Sequence, residues 1–402
     1  MANATYHSIT GSEYVQQVSE TVEQSTRWFA KKTSDTPRLP FHRSTPYERV
    51  TSSLLRRKRL VSVLTIGLAS LSGYYYYQKC YLPRLSEDST ENKRRAKRMP
   101  NGARYEVVLI IGSPVEPLTR LIALDLEKRG FIVYITLTSE HEVKFVETNR
   151  YNDFDYLDMV GTPQDFELAL MKFKQRMNER VVPFAGAQPH KLHLTSAIFI
   201  PDMAYPVGPV ENISSGTWNR VTAKLNLYLN FLAFGLVDIV RASSGKIILV
   251  NPVILPALKL PFHSPETITF NAVQDLFTCL HRELSSGNDI QVTQIRLGNM
   301  SISNQPISST KIDNSIQREM LAWDDQTREI YAENFTKVKH TSGPIQGVRG
   351  TPLRELYHLV YDLIYDQKRY VLGGVCYCGS GARIYDIIGG LLPHWMIDWW
   401  LR

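Results

Sequence analysis

From Glu106 onward, short and almost wholly apolar runs alternate with segments in which apolar side chains recur every three or four positions. The apolar runs are Val107–Ile111, Phe131–Leu137, Ala197–Ile200, Lys246–Asn251 and Gln291–Leu297, and the periodic segments lie at about 117–129, 164–177, 216–241 and 268–284. In the last of these, Ile268, Ala272, Val273, Leu276, Phe277, Leu280 and Leu284 share one helical face. A strand that is apolar throughout, rather than at alternate positions, is covered on both sides. The succession therefore predicts an α/β fold, a doubly wound and mostly parallel sheet of Rossmann-like type with helices over both faces.

The first hundred residues follow another pattern. An uncharged run of 18 residues, Leu60 to Tyr77, is preceded by Arg56, Arg57, Lys58 and Arg59 and closed by four tyrosines. Its length is at the short end of what crosses a bilayer, and an aromatic cluster suits the water–lipid interface. The pattern divides the chain into a flexible or weakly helical segment (1–55), a single transmembrane helix (60–77), a basic juxtamembrane linker (78–103) and the folded domain (104–402). Basic residues on the two sides of the run balance, so charge does not set its orientation.

Charge sharpens this division. Residues 1–100 hold 17 Lys and Arg against 8 Asp and Glu, whereas the rest of the chain holds 29 against 31. A nucleic-acid-binding domain carries its surplus on the folded surface, so this distribution points to membrane lipid and away from nucleic acid. The run Lys93–Arg98 reads as a solvated tether to anionic headgroups. Four cysteines without CxxC spacing favour a reducing compartment. No HExxH or HxxxH spacing implies a metal, and no GxSxG elbow implies a hydrolase. The one YxxxK, Tyr75 with Lys79, belongs to the edge of the apolar run. The closing LLPHWMIDWWLR is either an interfacial patch against a bilayer or a terminal helix packed as a lid.

The order of these segments resembles the short-chain dehydrogenase/reductase superfamily over roughly 104–400. VVLIIGSPVEPLTRLIALDLEKRGFIVYIT (107–136) is similar to its first strand, nucleotide loop, helix and second strand. DYLDMVGTPQDFELALMKF (155–173) is similar to its third strand end and following helix, and GPVENISSGTWNRVTAKLNLYLN (208–230) to its long interface helix. GKIILVNPV (245–253), QVTQIRLGNM (291–300) and the tail 369–401 continue the likeness, the tail looking like that of membrane-anchored retinol and steroid dehydrogenases. With its N-terminal anchor the chain also resembles a fungal group of putative oxidoreductases in that clan.

The resemblance implies NAD(P), with Gly112 and Ser113 in the nucleotide loop and Asp155 at the end of the third strand beside the adenine. Of the TGxxxGxG glycines only Gly112 remains, since Glu116 and Leu118 stand in the other two places, and a carboxylate there opposes a pyrophosphate. PDMA (201–204) replaces NNAG. The catalytic Tyr, Lys and Ser positions fall on Glu266, Phe270 and Pro252 or Val253, and the supporting Asn falls on Leu225, or on Asn226 after a one-residue slip. Glu266 and Asn226 are thus the surviving catalytic candidates.

These substitutions lead to a membrane-anchored, dehydrogenase-like protein acting as a non-catalytic binding or docking subunit. The alternative is an active NAD(P)-dependent oxidoreductase on a lipid-like carbonyl or alcohol, with a remodelled site. The resemblance further implies a homodimer, or a heterodimer with an active relative, through helices 216–241 and 268–284. It implies an endoplasmic-reticulum membrane with a cytosolic domain, with a mitochondrial membrane as the other option.

Overall fold

A computed structural model describes residues 94–149, 154–182, 188–203, 205–285, 290–301, 316–342, 350–365, 374–393 and 395. The N-terminal segment and the apolar run 60–77 lie outside them. Among the described residues no single helix is long and apolar enough to cross a membrane.

Strand β1 (Glu106–Ile111) opens the sheet and is followed by α1 (Pro117–Arg129), β2 (Ile132–Leu137), α2 (Glu140–Thr148), β3 (Phe154–Asp158) and α3 (Pro163–Asn178). A two-residue antiparallel pair, β4 (Arg180–Val181) with β5 (His190–Lys191), leads to β6 (His193–Phe199). Next come α4 (Ser215–Ala233), α5 (Leu236–Ala242), β7 (Lys246–Pro252), α6 (Ile254–Leu258), α7 (Ser264–Ser285) and β8 (Gln291–Leu297). The C-terminal third holds β9 (Met300–Ser301), α8 (Asp325–Ser342), β10 (Thr351–Pro352), α9 (Leu353–Tyr365), β11 (Val375–Cys378) and α10 (Ala382–Leu391).

Seven strands form one sheet in the order β11-β8-β7-β6-β1-β2-β3, every neighbouring pair parallel. This is the doubly wound arrangement, in which strand order reverses between β1 and β6. Alternate residues of one strand feed two separate cores. Val107, Leu109 and Ile111 of β1 pack with α3, α4, α5 and α7, while Val108 and Ile110 pack with α1 and α9. At the centre of the first core Phe199 meets Phe277, Tyr228 and Phe231 edge-on, with ring centroids 4.8, 5.5 and 6.4 Å away. Such pairs add to the area each ring buries.

Two expectations are corrected. The helix expected over 216–241 is broken into α4 and α5 at Gly235, whose φ of 98° is a conformation that glycine adopts without penalty. Residues 94–98 are not a solvated tether. Arg94 grips Asp362 of α9 through two hydrogen bonds of 2.8 and 3.1 Å. The Arg95 carbonyl accepts from Tyr361, Ala96 is buried, and the Lys97 ammonium lies 5.4 Å over the Tyr365 ring. Tyr365 and the Lys97 amide both donate to the buried Glu106 carboxylate at the start of β1. These positive charges hold the entering chain against α9, so the body begins near residue 94.

A bidentate, partly buried Arg–carboxylate pair is stronger than an exposed one. Asp362→Ala is therefore expected to destabilise the protein by about 1–2 kcal/mol, most of it attributable to the charge left on Arg94. Denaturant unfolding measures this, and limited proteolysis should then cut before residue 105.

Candidate functional site

In a doubly wound sheet the loops at the carboxyl ends of the strands meet at the point where strand order reverses, and ligands bind there. Here that edge is built from the loop 112–116 after β1, Thr138 and Ser139 after β2, Asp202 after β6, and α4 lying across them. Gly112 donates its N–H to Thr136, and a Cβ on it would stand 2.8 Å from the Ile200 carbonyl oxygen and 3.2 Å from the Thr119 hydroxyl. The glycine is thus required by the meeting of β1 with β6, whatever binds nearby.

The crevice beside it is filled by the protein's own charges. The Lys224 ammonium lies 3.2 Å from the Thr138 hydroxyl, 3.3 Å from Asp202 and 3.6 Å from Glu142. Glu142 is 4% exposed and accepts from the Thr138 amide at 2.6 Å and its hydroxyl at 3.0 Å. Burial opposes ionisation of Glu142, but the charge of Lys224 and hydrogen bonds from Ser113 and Thr138 outweigh it and hold the carboxyl below its usual range. Ser113, expected in a nucleotide loop, is buried within this network. Burial, reinforced by Asp202 and opposed by the Thr269 hydroxyl, pushes the Tyr205 phenol far up, with further contributions from Glu116 and Glu266.

A dinucleotide pyrophosphate needs free N–H groups and positive potential at the first turn of the helix after β1. Pro117 removes one donor from that turn, and the half-buried Glu116 precedes it in the N-cap position. Among the described residues Lys224 pairs with Glu142 and Asp202, and Glu116 adds a third carboxylate close enough to act on Tyr205. The residues present therefore do not match a bound dinucleotide.

The remaining sequence candidates separate. Asp155 is the second residue of β3, exposed and paired in register with Tyr134; the strand ends at Asp158 instead. Asn226 is exposed on α4, while Val221, Lys224 and Tyr228 form its inward side. Leu225 packs against the core. At the other family positions, Val253 and Phe270 are buried and the Phe270 ring meets Tyr205 at 6.1 Å.

Glu266 stands in the first turn of α7 and is 7% exposed. Its carboxylate lies 2.5 Å from Nδ1 of His263, a partner the sequence reading passed over. The Nε2 of His263 is buried and has no hydrogen-bond partner among the described residues. Phe262, at φ 67°, makes the turn into this dyad in a conformation uncommon for a bulky side chain. Its ring is held by Phe335 and Tyr331 of α8, at 5.3 and 6.3 Å, and its carbonyl accepts from Gly208. Together with Ile316 and Trp323 these side chains form an apolar cluster of their own beside the turn.

The sequence signals for the missed residues were slight. Lys224 and Tyr228 share the inward face of α4 at i and i+4, and His263 precedes Glu266 by three residues at a helix start.

Residues 103–398 match the fungal family of unknown function DUF1776. A UPF0744 protein of Schizosaccharomyces pombe is 25% identical over 323 residues, which cover 77% of this chain and 84% of that protein. A UPF0744 protein of Saccharomyces cerevisiae is 28% identical over 204 residues, 51% of this chain and 46% of that protein. The chain thus spans about half the length of the two Saccharomyces relatives it matches. Among solved structures, an NAD+-bound xylitol dehydrogenase is similar with a TM-score of 0.47 and 12% identity, over 68% of this chain and 98% of that one. A 3-ketoacyl-ACP reductase from Sinorhizobium meliloti 1021 has a TM-score of 0.43 and 17% identity, over 68% and 96%.

Removing Lys224 leaves a buried carboxylate uncompensated. Lys224→Met is expected to cost about 2–3 kcal/mol, and a second change, Glu142→Leu, should recover most of it. The depressed Glu142 pKa adds a sign: its contribution is complete above the unfolded value of about 4.5 and is lost as pH falls through the lower folded value. Urea midpoints taken between pH 3 and 7 should show that loss, and Glu142→Gln should flatten it.

Proposed function

From the premise that the chain belongs to the fungal family DUF1776, we propose that it is a non-catalytic binding or docking subunit on a short-chain-dehydrogenase-like scaffold, held at a membrane by the apolar run 60–77. One observation carries this reading. The crevice at the strand-order reversal is spanned by the Lys224–Glu142–Asp202 network, with the Glu116 carboxylate at the start of α1. Supporting it, the resemblance puts the catalytic Ser position on Pro252 or Val253 and the Lys position on buried Phe270, none of which donates or accepts protons through its side chain. Docking through α4 and α7, as a homodimer or with an active relative, is favoured by the exposed Leu229, Phe234 and Ile268 on and beside these helices. The endoplasmic-reticulum membrane with a cytosolic domain is the proposed location, and a mitochondrial membrane the alternative.

A second reading has an observation of its own. The buried His263–Glu266 dyad stands where the family resemblance puts a general acid/base, as an oxidoreductase acting on a lipid-like carbonyl or alcohol would need.

Calorimetric titration of the full chain with NADPH and NADH separates the two. The expected result is no saturable binding by the unmodified protein and weak, measurable binding by Glu116→Gly. Micromolar binding by the unmodified protein would overturn the docking reading. In cells, Glu266→Gln and His263→Gln should leave function intact if the protein is non-catalytic and abolish it if the dyad moves a proton.

A further inference from the structure

An apolar cavity of about 280 Å³ lies beside the crevice, between α1 and α2 over the outer strands β2 and β3, with Pro114 of the loop after β1 in its lining. Ile135 and Tyr156 form its floor, and Leu124 and Val146 its walls. Val146 and Glu142 are both buried on one face of α2, so the cavity continues one helical turn beyond the polar network without being part of it. The Arg120 guanidinium reaches the same space from α1 and lies 5.6 Å from the centre of the Phe145 ring, at cation–π distance. Among the described residues Arg120 makes no ion pair.

A half-buried guanidinium without a carboxylate, set against an apolar chamber, is complementary to an anionic head on an apolar tail. Guanidinium presents a planar fork of donors that a carboxylate accepts through both oxygens. The Tyr156 phenol, kept protonated by burial, adds a polar group to the floor. The volume falls slightly under the ~300–1,000 Å³ usual for drug-sized ligands, which limits the tail to a medium-length acyl chain. We infer that this cavity binds a medium-chain aliphatic carboxylate, its head on Arg120 and its tail over Ile135 between Leu124 and Val146. The site shares Pro114 with the loop after β1 but none of the Lys224 network, and it stands whether or not the protein is catalytic.

The test uses the full chain and an octanoate carrying a terminal diazirine, with labelled peptides mapped by mass spectrometry. Labelling is expected within 117–124 and 143–149, displaced by octanoate and at least tenfold less well by octanol. Arg120→Gln should weaken displacement by octanoate about tenfold, the scale of one charge-assisted contact. Val146→Trp should abolish labelling by filling the chamber; if that variant unfolds, Leu124→Trp fills it from the opposite wall. Equal displacement by octanol, labelling elsewhere in the chain, or labelling unchanged in either filled variant would overturn the site. Stronger displacement by octyl phosphate than by octanoate would overturn the carboxylate assignment.

Discussion

A parallel sheet with both faces covered has only its two ends open to loops, and every polar group that is not backbone ladder must find its partner there. In this protein that constraint falls on the carboxyl edge between β2 and β6. Five polar side chains from separate segments converge at it: Ser113, Thr138, Glu142, Asp202 and Lys224. Lys224 satisfies two carboxylates at once, and α4 is oriented by the requirement that its one inward cation reach them. The same helix sends Tyr228 and Phe231 into the core around Phe199, so the electrostatic tie and the apolar packing fix one helix position from two sides.

The energetic consequence concerns which groups can be exchanged. Taking ions out of water costs several kcal/mol each, and mutual attraction offsets this only while the partners stay together. A ligand entering the crevice would have to displace Lys224 from Glu142 and Asp202, or bring enough positive charge to keep both carboxylates satisfied. An anionic cofactor brings the opposite sign. The network therefore resists a dinucleotide, whereas the cavity beside it, where Arg120 makes no ion pair among the described residues, suits an anion of another shape.

The alternation of apolar strands with amphipathic helices made the sheet readable, because burial on both faces leaves its mark on every strand residue: β8 was expected over the same residues that it occupies, and α1 likewise. The site was much less legible. Asp155 was assigned to a strand end that lies at Asp158, since register within a short strand is set by pairing with β2 and leaves little trace in a pattern of five residues. The basic run at 93–98 resembled a tether because its partners Asp362, Tyr361 and Tyr365 are more than 260 positions away. Lys224 and His263 were invisible for the same reason: each acquires its role from a residue on another element or from a turn geometry, and a helix position carries no label of what its neighbour will be. What local pattern fixes was read, and what tertiary pairing fixes was not.

Gly112 shows how the two kinds of information can conflict. Read in sequence, a retained first glycine at the end of β1 speaks for a nucleotide, because a dinucleotide loop needs close backbone approach. In the structure the approach is to the protein itself, where a Cβ would come within 2.8 Å of the Ile200 carbonyl oxygen, tighter than side chains tolerate. The neighbouring strand demands glycine on steric grounds before any ligand is considered. The positions that a pyrophosphate alone would demand are those now holding Glu116 and Leu118, and there the glycines are gone. A glycine that the sheet requires is therefore no evidence of a nucleotide, and the positions that would be such evidence do not hold glycine. Gly112 is accounted for by the fold, and what distinguishes the loop chemically is the carboxylate of Glu116 at the start of α1.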